Sequence, residues 1–185
     1  MGTPEHEPQP RFVIEPMKNT DIEAATLMRL ESWLDTYVNE EAGVTKEWIE
    51  ERNARQLSAD RQASRRERFA SGKKAGAFNA WVARDPQGEI IGSTTPYIDA
   101  EGRQHLGSLY VDKKWQGTGV AGQLFDEVVQ WLDPTKPIEL GVTTYNERAK
   151  AFYRKQGFIE QPGTEHLFEG VMPEVQMIRP PQEEL

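Results

Sequence analysis

The sequence predicts an α/β protein built on a mixed sheet with helices on both faces. Three observations predict it. Between Ala77 and Val111, three short runs read as consecutive strands. A glycine-containing loop then leads into an amphipathic helix, followed by a buried-type strand and a second helix. The chain closes on "FIEQPGTEHLFEGVMPEVQMIRP", which alternates like a terminal hairpin. Strands, then strand–helix units, then a hairpin give a layered sheet rather than a helical bundle or a sandwich.

Each element has its own warrant. "RFVIEPMK" reads as a first strand, and Asn19, Thr20 and Asp21 supply N-cap candidates for the helix after it. That helix carries Ile22, Ala25, Leu27, Leu30, Trp33 and Leu34 as an apolar stripe of roughly helical period. "TKEWIEERNARQLSADRQASRRERF" is a charged, weakly amphipathic helical region expected on the surface and broken. "AFNAWVARD" and "EIIGSTTPYI" are strands joined through a turn at Pro86 to Gly88, and "HLGSLYV" follows as the third. Ala121, Leu124, Phe125, Val128 and Leu132 recur at three- and four-residue steps, which makes Val120 to Leu132 a helix stopped by Pro134 and Pro137. "IELGVTT" is a buried-type strand, and "NERAKAFYRKQGF" a short helix closed by Gly157. Residues 1–10 are expected to form a disordered lead-in, residues 11–180 one domain, and residues 181–185 a tail.

Composition narrows the function. The 185 residues suffice for one domain. A formal charge of −8, from 22 basic and 30 acidic side chains, argues against a nucleic-acid surface. The absence of cysteine removes disulfides, thiol nucleophiles and thiolate metal sites, and fits a cytoplasmic setting. No apolar run approaches the ~20 residues of a membrane span, and the polar, proline-rich start is no signal peptide. No metal site is expected. A homodimer is compatible with the chain.

"WQGTGVAG" carries Gly117, Gly119 and Gly122 at the spacing G-x-G-x-x-G. A dinucleotide site needs the first glycine at the end of its strand and an acidic residue at the end of the next one. Here Asp112 to Gln116 intervene after Val111, and the next strand ends "GVTT". What remains is an anion site: a glycine loop at a helix N-terminus, where the first amides lack partners and the helix dipole favours negative charge.

Read as Gln116-x-x-Gly119-x-Ala121, the loop resembles the acetyl-CoA pyrophosphate loop of the GNAT superfamily of N-acyltransferases. A second family pattern follows at Asn146-x-x-Ala149-x-x-Phe152-Tyr153-x-x-x-Gly157-Phe158. The resemblance spans about residues 11–180 and is strongest from 105 to 158. It implies a mostly antiparallel sheet, splayed between the two strands that flank the loop helix. It also implies acetyl-CoA as cosubstrate and direct attack by an amine. Leu109, Tyr110 and Val111 would meet pantetheine, with Leu109 and Val111 the main backbone contacts. Gln116, Gly117, Thr118, Gly119, Val120, Ala121 and Gly122 would hold the pyrophosphate. Asn146 would touch the coenzyme or simply cap its helix. Tyr153, two helical turns or about 10 Å further on and at nearly the same azimuth, would protonate the departing thiolate or serve as a core aromatic. The backbone amide near Val111 is the candidate donor to the thioester oxygen.

The base is less marked. Relatives often place a glutamate on the strand before the loop, where this chain has His105, Ser108 and Tyr110. His105 is the base candidate among them, although a lone strand-end histidine is more often structural. Glu31, Asp35 and Tyr37 would border the acceptor, a primary amine on a small molecule or a protein; a solvated helix face is the plainer reading of the two carboxylates. Arg61, Arg65, Arg66 and Arg68 read as a solvated helix. Trp33, Trp48 and Trp81 are core or slot walls. The competing functions are a catalytically silent acyl-CoA-binding module and a dinucleotide-binding protein.

Overall fold

A computed structural model describes residues 11–181. The expectations for residues 1–10 and for the last four residues of the tail lie outside the described residues. The elements run β1 (Val13–Pro16), α1 (Ile22–Tyr37), α2 (Lys46–Leu57), α3 (Ala59–Ala75), β2 (Trp81–Arg84), β3 (Ile90–Ile98), β4 (Gln104–Val111), α4 (Val120–Trp131), β5 (Ile138–Thr143), α5 (Glu147–Lys155), β6 (Ile159–Glu160), β7 (His166–Phe168) and β8 (Met172–Arg179). The sheet order is β1-β2-β3-β4-β5-β8-β6, with β7 also on β8. Every pairing is antiparallel except β4 with β5. The mixed, mostly antiparallel sheet is as expected.

Helices cover both faces. α1 lies across β3 and β4 and carries α2 and α3 with it. Trp33 of α1, Val44, Ile49 of α2 and Met172 of β8 form one core layer there. On the opposite face α4 packs Val120 and Leu124 against Trp81, Ala83, Ile91 and Val111. Phe125 and Val128 of the same helix meet Leu106, Ile138, Leu140, Val142 and Phe158. Gly92 lets α4 come this close: a Cβ there would sit 3.0 Å from side-chain carbons of both Leu124 and Val120.

Some local expectations change. Asn19 to Asp21 form a 3₁₀ turn, and no side chain caps α1. Asp21 instead accepts from the Lys18 amide at 2.9 Å and pairs with Arg84 at 2.7 Å. Leu27 is 42% exposed, and Met28 takes its place in the core. Ile22, Ala25, Leu30 and Trp33 are buried as the stripe requires, so Leu27 alone falls outside it. The charged region breaks at Ser58, which accepts a hydrogen bond from the Arg61 amide at the start of α3. Trp81 is core, and Trp33 is both core and cavity wall.

The feature that matters most lies mid-sheet. β3 and β4 share seven residue pairs, and β5 and β8 share six. β4 and β5 share two, Gln104 with Ile138 and His105 with Glu139. Beyond His105 the strands diverge. Gln104, 2% exposed, pins the closed end: its side-chain oxygen accepts from the Asp133 amide at 2.7 Å, and its side-chain nitrogen donates to the Asp133 carbonyl at 3.0 Å. Gln104→Leu keeps the volume and deletes both bonds. Urea unfolding should show stability lower by about 1–3 kcal/mol, because buried polar partners are lost. An unchanged midpoint would assign the pin to backbone pairing alone.

Candidate active site

The divergence of β4 from β5 opens a cavity of about 890 Å³. The glycine loop lies along it. Gly117 and Gly119 have φ of +83° and +95°, a region that glycine enters without steric cost. A Cβ at Gly117, Gly119 or Gly122 would meet nothing within 4 Å, so the loop presents an open, backbone-lined surface. Gly119 caps α4, and the first intrahelical bond runs from the Gln123 amide to the Gly119 carbonyl. The amides of Val120, Ala121 and Gly122 precede that bond and have no helical acceptor. Gln116 anchors the loop by donating to the Val111 carbonyl at 3.2 Å.

Val111 therefore turns its carbonyl to the open side of β4. A strand residue's amide and carbonyl point the same way, so the amides of Val111 and Leu109 face the gap. The intervening residues look back at β3: the Ser108 carbonyl accepts from the Thr94 hydroxyl at 2.9 Å.

The expected site residues divide clearly. Leu109, Tyr110, Val111, Gln116, Gly117, Gly119, Ala121, Gly122, Asn146 and Tyr153 all line the cavity. Thr118 and Val120 do not. The Thr118 hydroxyl donates to the Trp115 carbonyl at 2.6 Å, and the Val120 side chain is fully buried under the sheet, leaving only its amide for a ligand. Asn146 caps α5 by accepting from the Ala149 amide at 3.1 Å, so its side-chain nitrogen is the part left for a ligand. Asn146 and Tyr153 share the cavity face, as their seven-residue spacing implies, but Phe152 lines it too while packing edge-on against Phe125.

Tyr37 lines the cavity, and Glu31 and Asp35 do not. Those two carboxylates face a smaller hollow of about 390 Å³ beside the loop, with Lys113, Lys114 and Arg148, and Asp35 pairs with Lys113 at 3.5 Å. They follow the outer face of α1, whereas Trp33 and Tyr37 follow its inner face. His105 lies at the closed end of the gap. It bonds Asp99 at 2.9 Å and stacks on Tyr97 with ring centroids 4.7 Å apart. Burial pushes the Asp99 carboxyl up, but hydrogen bonds from His105 and Arg103 outweigh it and hold the group well below the usual carboxylate range.

Deeper in, the cavity is a chamber of aromatic and ionisable groups. The Trp33 indole donates to the Tyr110 hydroxyl at 3.0 Å, the Tyr37 hydroxyl lies 3.4 Å from the same oxygen, and the Tyr145 hydroxyl donates to the Tyr37 carbonyl at 2.6 Å. Arg52 lies 3.8 Å above the Trp33 ring and bonds Glu169 at 3.0 Å. Burial raises the Tyr37 phenol well above its ordinary value, with the neighbouring Tyr110 adding to the effect. Burial likewise pushes up the Tyr153 phenol, with Tyr110 contributing second. Three residues that sequence reasoning passed over complete the site. Arg148 hydrogen-bonds the Gln116 side chain at the loop. Glu174 and His166 line the chamber from β8 and β7. Arg148 carried a signal, a cation two residues after the helix cap that follows the strand. Glu174 and His166 carried none, because only the hairpin's fold-back brings them in.

A family model described as an acetyltransferase (GNAT) domain matches residues 34–177. The chain belongs to the GNAT acetyltransferase family. The fold agrees with solved GNAT structures at low identity. The coenzyme A complex of PaiA N-acetyltransferase from Thermoplasma acidophilum is 20% identical, with a TM-score of 0.69 over 90% of this chain and 98% of that one. A GNAT acetyltransferase from Staphylococcus aureus Mu50 is 17% identical, with a TM-score of 0.63 over 91% and 98%. One from Streptococcus pneumoniae is 18% identical, with a TM-score of 0.62 over 93% and 100%. No curated protein sequence matches the chain. Among the described residues of this GNAT chain, no helix is long and apolar enough to cross a membrane.

The loop makes a sharp prediction. Gly119→Glu would force a side chain into a left-handed backbone, so loss of stability would confound it. Gly122 sits in the first turn of α4 without that constraint. Gly122→Glu should leave the melting temperature unchanged or raise it, since glutamate suits the first helical turn. If coenzyme A binds at the loop, the substitution should also abolish thermal stabilisation by coenzyme A, through charge and bulk over the α4 N-terminal amides. Retained stabilisation would remove the loop from the site.

Proposed function

We propose that this protein transfers the acetyl group of acetyl-CoA to a primary amine by direct attack within a ternary complex. One observation carries the reading: a single cavity joins the unpartnered amides of the α4 N-terminus to a chamber of aromatic and acidic groups on the other side of the sheet. A pyrophosphate fits the first end, where three glycines leave open space over the backbone. The chamber suits a cation, given Trp33, Tyr37, Phe168 and the carboxylate of Glu174 in its wall.

Gly117, Gly119, Val120, Ala121 and Gly122 would hold the pyrophosphate through their amides, with Arg148 beside them. Leu109 and Val111 would pair with pantetheine along the open edge of β4. Acetyl-CoA supplies the thioester. The Val111 amide faces the gap and would donate to the thioester oxygen as charge grows there. Tyr153 would protonate the sulfur. Its raised phenol stays protonated across the working pH range, which is the state a donor needs.

The test has two parts. Coenzyme A should raise the melting temperature while NAD does not. Acetyl-CoA should then turn over against a panel of amino acids, polyamines and aminoglycosides. Stabilisation without turnover would mark a silent acyl-CoA binder. In the active protein, Tyr153→Phe keeps the ring that packs 5.6 Å from Phe158 and loses only the hydroxyl. Its kcat should fall by about 10² or more, with coenzyme A stabilisation intact. A kcat near wild type under chemistry-limited conditions would make Tyr153 a packing residue.

A further inference from the structure

We propose that Glu174, with His166 behind it, takes the proton from the incoming amine and passes it to solvent. The inference rests on the acetyl-transfer reading and names a base for it. Glu174 projects from β8 to the chamber side of the sheet, while its neighbours Val175 and Met177 are buried in the opposite layer. Gly141 on β5 makes room for it: a Cβ at that position would lie 2.8 Å from Glu174 Oε2. The carboxylate thus rests over the strand that diverges from β4, at the edge of the gap where the thioester would lie.

Its surroundings suit proton transfer. His166 stands directly opposite Glu174 in the β7–β8 register, and its Nε2 is 3.7 Å from Glu174 Oε2. His166 Nδ1 lies 3.2 Å from the Thr164 carbonyl, an acceptor, so Nδ1 carries the hydrogen and Nε2 is left to receive one. At this separation a small rotation of either side chain closes a direct hydrogen bond between them. The imidazole side chain is 50% exposed, which gives the proton its exit. The other ionisable groups on this cavity are Arg29 and Tyr37 from α1, Arg52 from α2, Tyr97 from β3, His105 and Tyr110 from β4, Glu139 from β5, and Arg148 and Tyr153 from α5. Arg52 is engaged by Glu169. Burial raises the Glu174 carboxyl above the ordinary range, partly offset by His166 and Arg52, which moves it toward the working pH of a base.

The step balances. An ammonium gives one proton to Glu174, which hands it through His166 to solvent. The freed nitrogen lone pair forms the C–N bond to the thioester carbon, and the C–S electron pair leaves on sulfur. Sulfur takes the Tyr153 proton, and the second N–H proton, shed as the amide forms, restores Tyr153. Ammonium and thioester become amide, thiol and one released proton.

The experiment compares two acceptors: the primary alkylamine that wild type turns over best, and methoxyamine, which is neutral at the working pH. Glu174→Gln should lower kcat/KM by about 10² to 10⁴ for the alkylamine and by less than about 10-fold for methoxyamine. Coenzyme A stabilisation should be unchanged, which also certifies the fold. Glu174→Asp should recover part of the alkylamine rate, and His166→Asn should show a smaller loss with the same acceptor dependence. Equal losses on both acceptors, or near-wild-type rates, overturn the assignment while leaving acetyl transfer intact. A wild-type protein that acetylates no amine overturns both.

Discussion

The site depends on one constraint: two half-sheets that meet at only two residue pairs. β3–β4 and β5–β8 are each well paired, and the Gln104–Asp133 bonds hold their junction at one end. From Leu106 onward β4 has no strand on its far side. Unpaired backbone inside a protein is costly, and a ligand that pairs with it recovers part of that cost. The same divergence lets the cavity pass between the strands, so that groups on opposite faces of the sheet meet across it. Without it, the α4 N-terminus and the α1 aromatics would line two unconnected surfaces.

Charge is mixed at both ends of the cavity, and single groups decide. Lys113 and Lys114 at the loop end share their hollow with Glu31, Asp35 and Asp112, and Asp35 pairs with Lys113, so Arg148 beside Gln116 is the cation that also lines the main cavity. The opposite chamber holds Glu174, with Arg29 and Arg52 also in its wall and Arg52 engaged by Glu169. Arg148 would meet an anionic cosubstrate, and Glu174 is the carboxylate that would meet a cationic acceptor. The net charge of −8 says little about either end; the local arrangement decides.

How much was legible from sequence follows from chain distance. The loop and the α4 helix are contiguous, so glycine spacing and helical period exposed them together. Asn146 and Tyr153 lie on one helix, and their shared face was readable from its pitch. The chamber was not: Trp33 reaches Tyr110 across 77 residues, and Tyr37 across 73. Glu31 and Asp35 sit on the same helix as Trp33 and Tyr37, but its rotation turns them to the smaller hollow. Leu27 shows that a correctly placed stripe still does not tell which residue at its margin is covered, since Met28 beside it is buried instead. Glu174 looked like any polar residue of an alternating strand until β8 was seen to lie beside β5.

The central claim is that the diverging strands and the α4 N-terminus together form the coenzyme site. Backbone amide NMR during titration with coenzyme A tests it most directly. The account predicts the largest shifts at Gly117, Gly119, Val120, Ala121 and Gly122, with a second set along Leu109 to Val111 and Gly141 to Thr143. NAD should leave those signals in place. Shifts confined to other surfaces, or an equal response to NAD, would contradict it.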